Sequence, residues 1–134
     1  MTTIYHKNNL DQIPLDISSP CIIFLVGDLW AGKTTLSQHI IRHRLWVKEN
    51  ITSPTYTYYN HYCSPSHGDI YHFDLYRLQN YDEFFAIWAE EIFDNNSGVI
   101  IVEWPQLITD YYKADMTLLL WMGESEDTRR IELQ

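Results

Sequence analysis

Gly27 to Thr34 reads GDLWAGKT and fills every fixed position of the pattern GxxxxGK[ST]. A loop of this kind does one sort of chemistry. Its glycines let the backbone curl so that successive N–H groups face one concavity, and a helix starting there aims its positive end at the same point. Phosphate oxygens fit that cradle. Lys33 adds a cation that reaches the β- and γ-phosphates of a nucleotide, and the Thr34 hydroxyl is a ligand for the accompanying magnesium ion. Gly27, Asp28, Leu29, Trp30, Ala31, Gly32, Lys33 and Thr34 are therefore the expected nucleotide-binding stretch.

Hydrolysis asks for more than a cradle: a second acid on the magnesium side, a group that orients water, and something touching the γ-phosphate. Glu103 is the expected second acid, because it follows the apolar run 99–102 and an open α/β sheet places ligand chemistry at the carboxyl ends of its strands. The bland alternative is a carboxylate that merely caps the sheet. Asp74 is the expected water-orienting group; its alternative is a salt bridge to Arg77. Ser53 and Thr55 offer hydroxyls to the γ-phosphate from a loop that orders with the nucleotide, unless Pro54 simply shapes a turn there.

These side chains need elements to hold them. Cys21–Val26 is six apolar residues between Pro20 and Gly27, short and continuous enough for a strand buried on both faces. Leu36, Ile40 and Ile41 share one face of a helix expected from Lys33 to about residue 45. His39 and His43 sit four apart on it, a spacing that can bind metal, but no third ligand is near in sequence. Residues 56–62 and 69–74 read as two aromatic strands of an antiparallel hairpin, with Ile70, His72 and Asp74 on one face and Tyr71 and Phe73 on the other. Asn80 and Glu83 resemble a capping box opening a helix over 81–92. Strands are expected at 99–102, 116–122 and 129–133, with a weak edge strand at 2–5 and a helical turn near 9–12. The sum is a single domain over residues 1–134, a three-layer α/β/α fold with a mixed central sheet and an antiparallel C-terminal meander.

Composition narrows the function classes. The chain has 134 residues, 46% of them apolar and 15% aromatic, enough for one core and too short for two. No apolar stretch approaches the roughly 20 residues of a membrane span, and the first residues lack the charge and apolar run of a signal peptide. Cys21 and Cys63 show no metal-ligand spacing and no disulfide framework. A cytoplasmic location is expected. A net charge of −9 argues against a broad direct grip on nucleic acid and suits docking to a basic protein partner.

GDLWAGKTT, then SPTYT, then YHFDLYRL, then VEWPQ, in this order and at these spacings, resembles the TsaE (YjeE) family, bacterial P-loop ATPases of tRNA threonylcarbamoyladenosine biosynthesis. The resemblance runs from about residue 22 to 133 and implies a P-loop NTPase-like fold. It also implies a magnesium-dependent ATPase, weak alone, that binds ATP and ADP and works with the TsaB–TsaD heterodimer. By that resemblance Lys33, Thr34 and Thr35 bind phosphates and magnesium, and Thr55 belongs to a switch-like loop. Asp74 then belongs to the hydrolytic site and Glu103 to the magnesium site, while Trp104 lies beside the nucleotide. The amino-terminal segment is shorter than the family's usual helix, and the chain stops soon after its last strand.

One departure bears on chemistry. The family's loop reads GDLGAGKTT, and this chain has Trp30 in place of that glycine. If the backbone there takes a positive φ, tryptophan is strained by about 1–3 kcal/mol. The alternative function is accordingly a nucleotide-binding adaptor with little turnover. A small-molecule kinase lacks room for an acceptor site and lid. A GTPase is disfavoured because Tyr112-Lys113-Ala114-Asp115 lacks the Asn or Thr that opens a guanine-reading NKxD motif.

Overall fold

The computed structural model describes the chain apart from Met1, Lys7, Leu29 and residues 55–57, and gives only the backbone of Thr2. Among the described residues seven strands form one sheet: β1 (Thr2–His6), β2 (Cys21–Val26), β3 (Tyr59–Ser64), β4 (Gly68–Asp74), β5 (Val99–Glu103), β6 (Met116–Met122) and β7 (Thr128–Leu133). Their order across the sheet is β1-β7-β6-β2-β5-β4-β3. β2 lies at the centre, parallel to both β5 and β6, and β4 is parallel to β5. β3 pairs antiparallel with β4 at one edge, and the β6–β7–β1 meander closes the other.

Each face of the sheet carries its own core, which makes three layers. Ile23, Leu25, Ile70 and Ile101 meet α1 (Lys33–His39) and the turn after it through Leu36, Ile40 and Ile41. On the opposite face Phe24, Phe73, Ile100 and Val102 pack with α2 (Tyr81–Ala86) and α3 (Ala89–Asp94) through Phe84, Ala89 and Phe93. Full burial of one such side chain contributes roughly 1.5–3 kcal/mol. The α/β/α architecture, the mixed sheet and the late meander are as the sequence pattern predicts.

Two helices depart from expectation. The run from Lys33 is α-helical to His39 and then widens into a π-helical turn, Ile40–Arg44, closed by the Leu45 N–H donating to the Ile40 carbonyl at 2.9 Å. From this turn Arg44 donates to the carbonyls of Leu10, Asp11, Ile13 and Leu15, tying the amino-terminal segment to the domain. The single helix expected over 81–92 is two, broken at Trp88, whose φ is 65°. Phe84 and Phe93 are nine apart, about two and a half turns, so an unbroken helix would point them in opposite directions. The break lets both rings reach the sheet, where their centroids lie 5.4 Å apart. Asn80 does cap α2, its Oδ1 accepting the Glu83 N–H at 3.0 Å.

Candidate active site

Parallel pairing decides where the reactive side chains meet. Leu25 of β2 stands opposite Glu103 of β5, and Glu103 stands opposite Asp74 of β4. The strand that feeds the phosphate loop and the two strands that carry the acids therefore end side by side. A cleft of about 500 Å³ opens at these ends, lined by Lys33, Thr34, Thr35, Asp74, Glu103 and Trp104 together with Trp30 and Gly32. Tyr5, Leu10, Tyr76 and Arg129 complete the lining.

The loop's glycines are required by geometry. A Cβ on Gly27 would come within 2.6 Å of the Leu120 carbonyl oxygen, a backbone atom that cannot yield. Gly32 has φ +97° and precedes the first residue of α1, where the left-handed conformation is strained for a side chain. Trp30 has φ 69° and is 87% exposed, so the strain anticipated for a tryptophan there is present and no burial offsets it. A left-handed non-glycine residue costs about 1–2 kcal/mol. Leu29 lies outside the described residues. The Ala31 N–H donates to the Asp28 carbonyl at 3.1 Å, so these two residues shape the turn.

Lys33 is buried, and its ammonium donates to the Gly27 and Asp28 carbonyls. Its Nζ also sits 4.2 Å from the centroid of the Trp104 ring, a cation–π contact. Burial holds this ammonium below the usual lysine value, against the opposing pull of Glu103, Asp28 and Asp74. Among the described residues no carboxylate forms a salt bridge with it.

Glu103 is 1% exposed and engaged on both oxygens. The Thr34 hydroxyl donates to Oε1 at 2.9 Å. His72 Nε2 lies 2.6 Å from Oε2, and the Ser37 hydroxyl reaches the same oxygen at 3.4 Å. A hydroxyl and a carboxylate held together are hard oxygen donors of the kind that suits magnesium, so the residues present fit that ion. Asp74 accepts the Tyr76 N–H at 3.0 Å, and burial chiefly raises its carboxyl above the ordinary range, with Glu103 adding to the rise. Tyr76 in turn packs on Trp104, centroids 4.8 Å apart.

Ser53 is exposed in the stretch before β3 and is not among the cleft-lining residues; Thr55 lies outside the described residues. Arg77 is exposed and does not line the cleft. The His39 and His43 rings are 5.1 Å apart, and no group of three potential metal ligands among the described residues includes them. Cys63 is on β3, where its sulfur and the ligand atoms of exposed His61 and Asp69 lie within 4.8 Å of one another. That cluster belongs to the start of β4, at the far end of the strand from Asp74.

Sequence reading overlooked His72 and Arg129. The alternation in β4 already set His72 on the face of Asp74, and a buried histidine beside a strand-end acid was the available signal. Arg129 had none, because it enters the cleft through the pairing of β7 with β1, a contact between the two ends of the chain.

Known proteins resemble this chain in sequence and in fold. TsaE of Rickettsia typhi, a "tRNA threonylcarbamoyladenosine biosynthesis protein", is 38% identical over 87 residues, 65% of this chain and 58% of that protein. The chain thus matches less than two thirds of that relative's length. The Haemophilus influenzae protein of the same name is 31% identical over 121 residues, covering 90% of this chain and 74% of the relative. The crystal structure of Bacillus subtilis YdiB superposes with a TM-score of 0.63 at 24% identity over 98% of this chain and 83% of that one, a likeness of fold. The family model for "Threonylcarbamoyl adenosine biosynthesis protein TsaE" matches residues 4–131, from the first strand into the last. The chain therefore belongs to the TsaE family.

Proposed function

We propose that this chain binds ATP in the cleft and hydrolyses its terminal phosphoanhydride bond in support of tRNA threonylcarbamoyladenosine formation, the process for which its relatives are named. One observation carries this reading: the in-register ends of β2, β5 and β4 put Lys33, Glu103 and Asp74 around a single cleft. The curled loop and Lys33 hold the phosphate chain, with Thr35 beside them. Thr34 and Glu103 would hold magnesium, which when bound neutralises charge on the phosphates. Asp74 accepts a hydrogen bond from the attacking water and aims it at the γ-phosphorus. Trp104 braces the Lys33 ammonium and forms a wall of the site. Ser53 and Thr55 are proposed to contact the γ-phosphate from their loop.

By family membership the TsaB–TsaD heterodimer is the proposed partner, and the cytoplasm the proposed compartment. A net charge of −9 favours protein partners over a direct hold on tRNA. No helix among the described residues is long and apolar enough to cross a membrane. A second reading, a nucleotide-binding adaptor with little turnover, draws on Trp30, whose strained and exposed position alters the loop itself.

Magnesium-dependent ATP hydrolysis with and without TsaB–TsaD, on the unaltered chain, Lys33→Ala, Glu103→Ala and Trp30→Gly, separates the two. Slow turnover that rises with partners and vanishes in the first two variants supports the ATPase. ATP binding with no phosphate release, even with partners, supports the adaptor.

A further inference from the structure

His61, Cys63 and Asp69 form a group that the cleft does not use. Among the described residues they are the one set of three potential metal ligands, with a donor atom from each within 4.8 Å of the others. The hairpin brings them together. His61 and Cys63 are two apart on β3 and project from one face, while buried Tyr62 between them points to the other. Cys63 stands directly opposite Asp69 on β4, and His61 stands opposite Tyr71. The spacing of the cysteines carried no such signal, because the third donor arrives across a strand pair.

The surroundings hold these side chains in place. The His61 ring stacks on Tyr71, centroids 4.4 Å apart and planes 4° from parallel, which sets the direction of its nitrogens. Nε2 lies 2.8 Å from Asp69 Oδ1. β3 is an edge strand, and the Cys63 N–H donates to Glu49 Oε1 at 3.0 Å. At the turn the His67 N–H donates to the Ser64 hydroxyl at 3.0 Å, and its ring Nε2 donates to the Ile17 carbonyl at 3.0 Å.

An exposed His–Asp pair by itself is a surface contact of little worth. The thiol changes the chemistry. Imidazole, thiolate and carboxylate together are donors that suit zinc, whereas magnesium takes hard oxygens such as Thr34 and Glu103 offer. A neutral imidazole, a thiolate and a carboxylate carry two negative charges, which balance one divalent ion. Zinc about 2.0–2.3 Å from each donor needs them roughly 3–4 Å from one another, a small contraction for exposed side chains. The local field also suits a cation: burial first, and then Asp69, holds the Tyr71 phenol above its ordinary value.

We propose that His61, Cys63 and Asp69 form a zinc site on the exposed face of the hairpin, with a fourth position open to water. The ion takes the place of the proton between His61 Nε2 and Asp69 Oδ1, the ring keeping its proton on Nδ1, and the Cys63 thiol proton leaves to solvent. Zinc here is a clasp on the edge strand, binding the folded hairpin more tightly than the unfolded chain and so stabilising it.

The reduced, metal-free chain is titrated with zinc against a chromogenic chelator, with magnesium in excess to occupy the oxygen donors of the cleft. Cys63→Ser, His61→Ala, Asp69→Asn and His43→Ala are compared with it. Loss of an outer partner of a metal ligand already costs about ten- to a hundredfold in affinity, so each of the first three variants should bind zinc at least about tenfold more weakly. His43→Ala should bind as the unaltered chain does, with one zinc per chain. Cobalt should give a sulfur-to-metal charge-transfer band in the unaltered chain that Cys63→Ser lacks. Zinc should raise the melting temperature of the unaltered chain more than that of Cys63→Ser. An unaltered chain that binds no zinc overturns the assignment, as does a Cys63→Ser affinity within about twofold of the unaltered one. If Cys63→Ser does not fold, alkylation of the unaltered chain decides. Zinc that protects Cys63 from iodoacetamide supports the site, and undiminished alkylation overturns it.

Discussion

His72 Nε2 lies 2.6 Å from Glu103 Oε2, and both side chains are shut off from solvent. The imidazole donates from Nε2 and leaves Nδ1 unpartnered, so its one bond goes to the acid proposed for magnesium. With Oε2 held this way, Oε1 faces the Thr34 hydroxyl. His72→Leu is expected to lower stability by about 1–3 kcal/mol, because a buried acceptor loses its partner. It should also raise the magnesium concentration needed for half-maximal turnover. Urea denaturation reads the first effect and a magnesium titration the second. A stability loss with an unchanged magnesium requirement would reduce His72 to packing.

Asp74 carries a cost that function would explain. Burial chiefly raises its carboxyl above the ordinary 3.8, while the Tyr76 N–H, His72 and Lys33 pull it down. Stability tied to the protonated form is fully present below that ordinary value and is lost as pH rises through the raised one. At neutral pH the ionised side chain is therefore destabilising. Asp74→Asn should melt higher than the unaltered chain at pH 7, with the gap closing as the solution is acidified below 3.8. Turnover should fall by about a hundredfold or more. A lower melting point at neutral pH would contradict the burial argument.

Trp30 combines φ 69° with 87% exposure, so its side chain contributes little burial while its backbone is strained. Trp30→Gly removes a strain of about 1–2 kcal/mol and adds back some unfolded-state entropy. The net expectation is a stability gain of up to about 1 kcal/mol and ATP turnover equal to or above that of the unaltered chain. Thermal melts and phosphate release measure the two. A variant that is both less stable and slower would show that the tryptophan is part of the working site.

The two thiols should behave differently. Cys21 is buried in β2, where burial and the nearby Asp115 push it up to about 11, whereas Cys63 is exposed on β3. Iodoacetamide at mildly alkaline pH should modify Cys63 in the folded chain and reach Cys21 after denaturation. Peptide mass mapping reads the outcome. Rapid modification of Cys21 in the native chain would mean that the central strand opens readily.

Local pattern alone determined much of this protein. The loop from Gly27 to Thr34, the six apolar residues before it, and the acids at the ends of β4 and β5 were legible because each depends on neighbours in the chain. A phosphate cradle is built within one loop, and a doubly buried strand announces itself as unbroken apolar residues. The break at Trp88 was hidden, since it satisfies two rings nine residues apart that must face the same sheet. Strand order was decided in three dimensions, and with it the meeting of Asp74, Glu103 and Lys33 at one cleft. His72 on Glu103 and Arg129 behind Gly32 are likewise products of pairing between distant strands. No window of sequence contains both partners of such a contact, so its chemistry exists only once the sheet has closed around it.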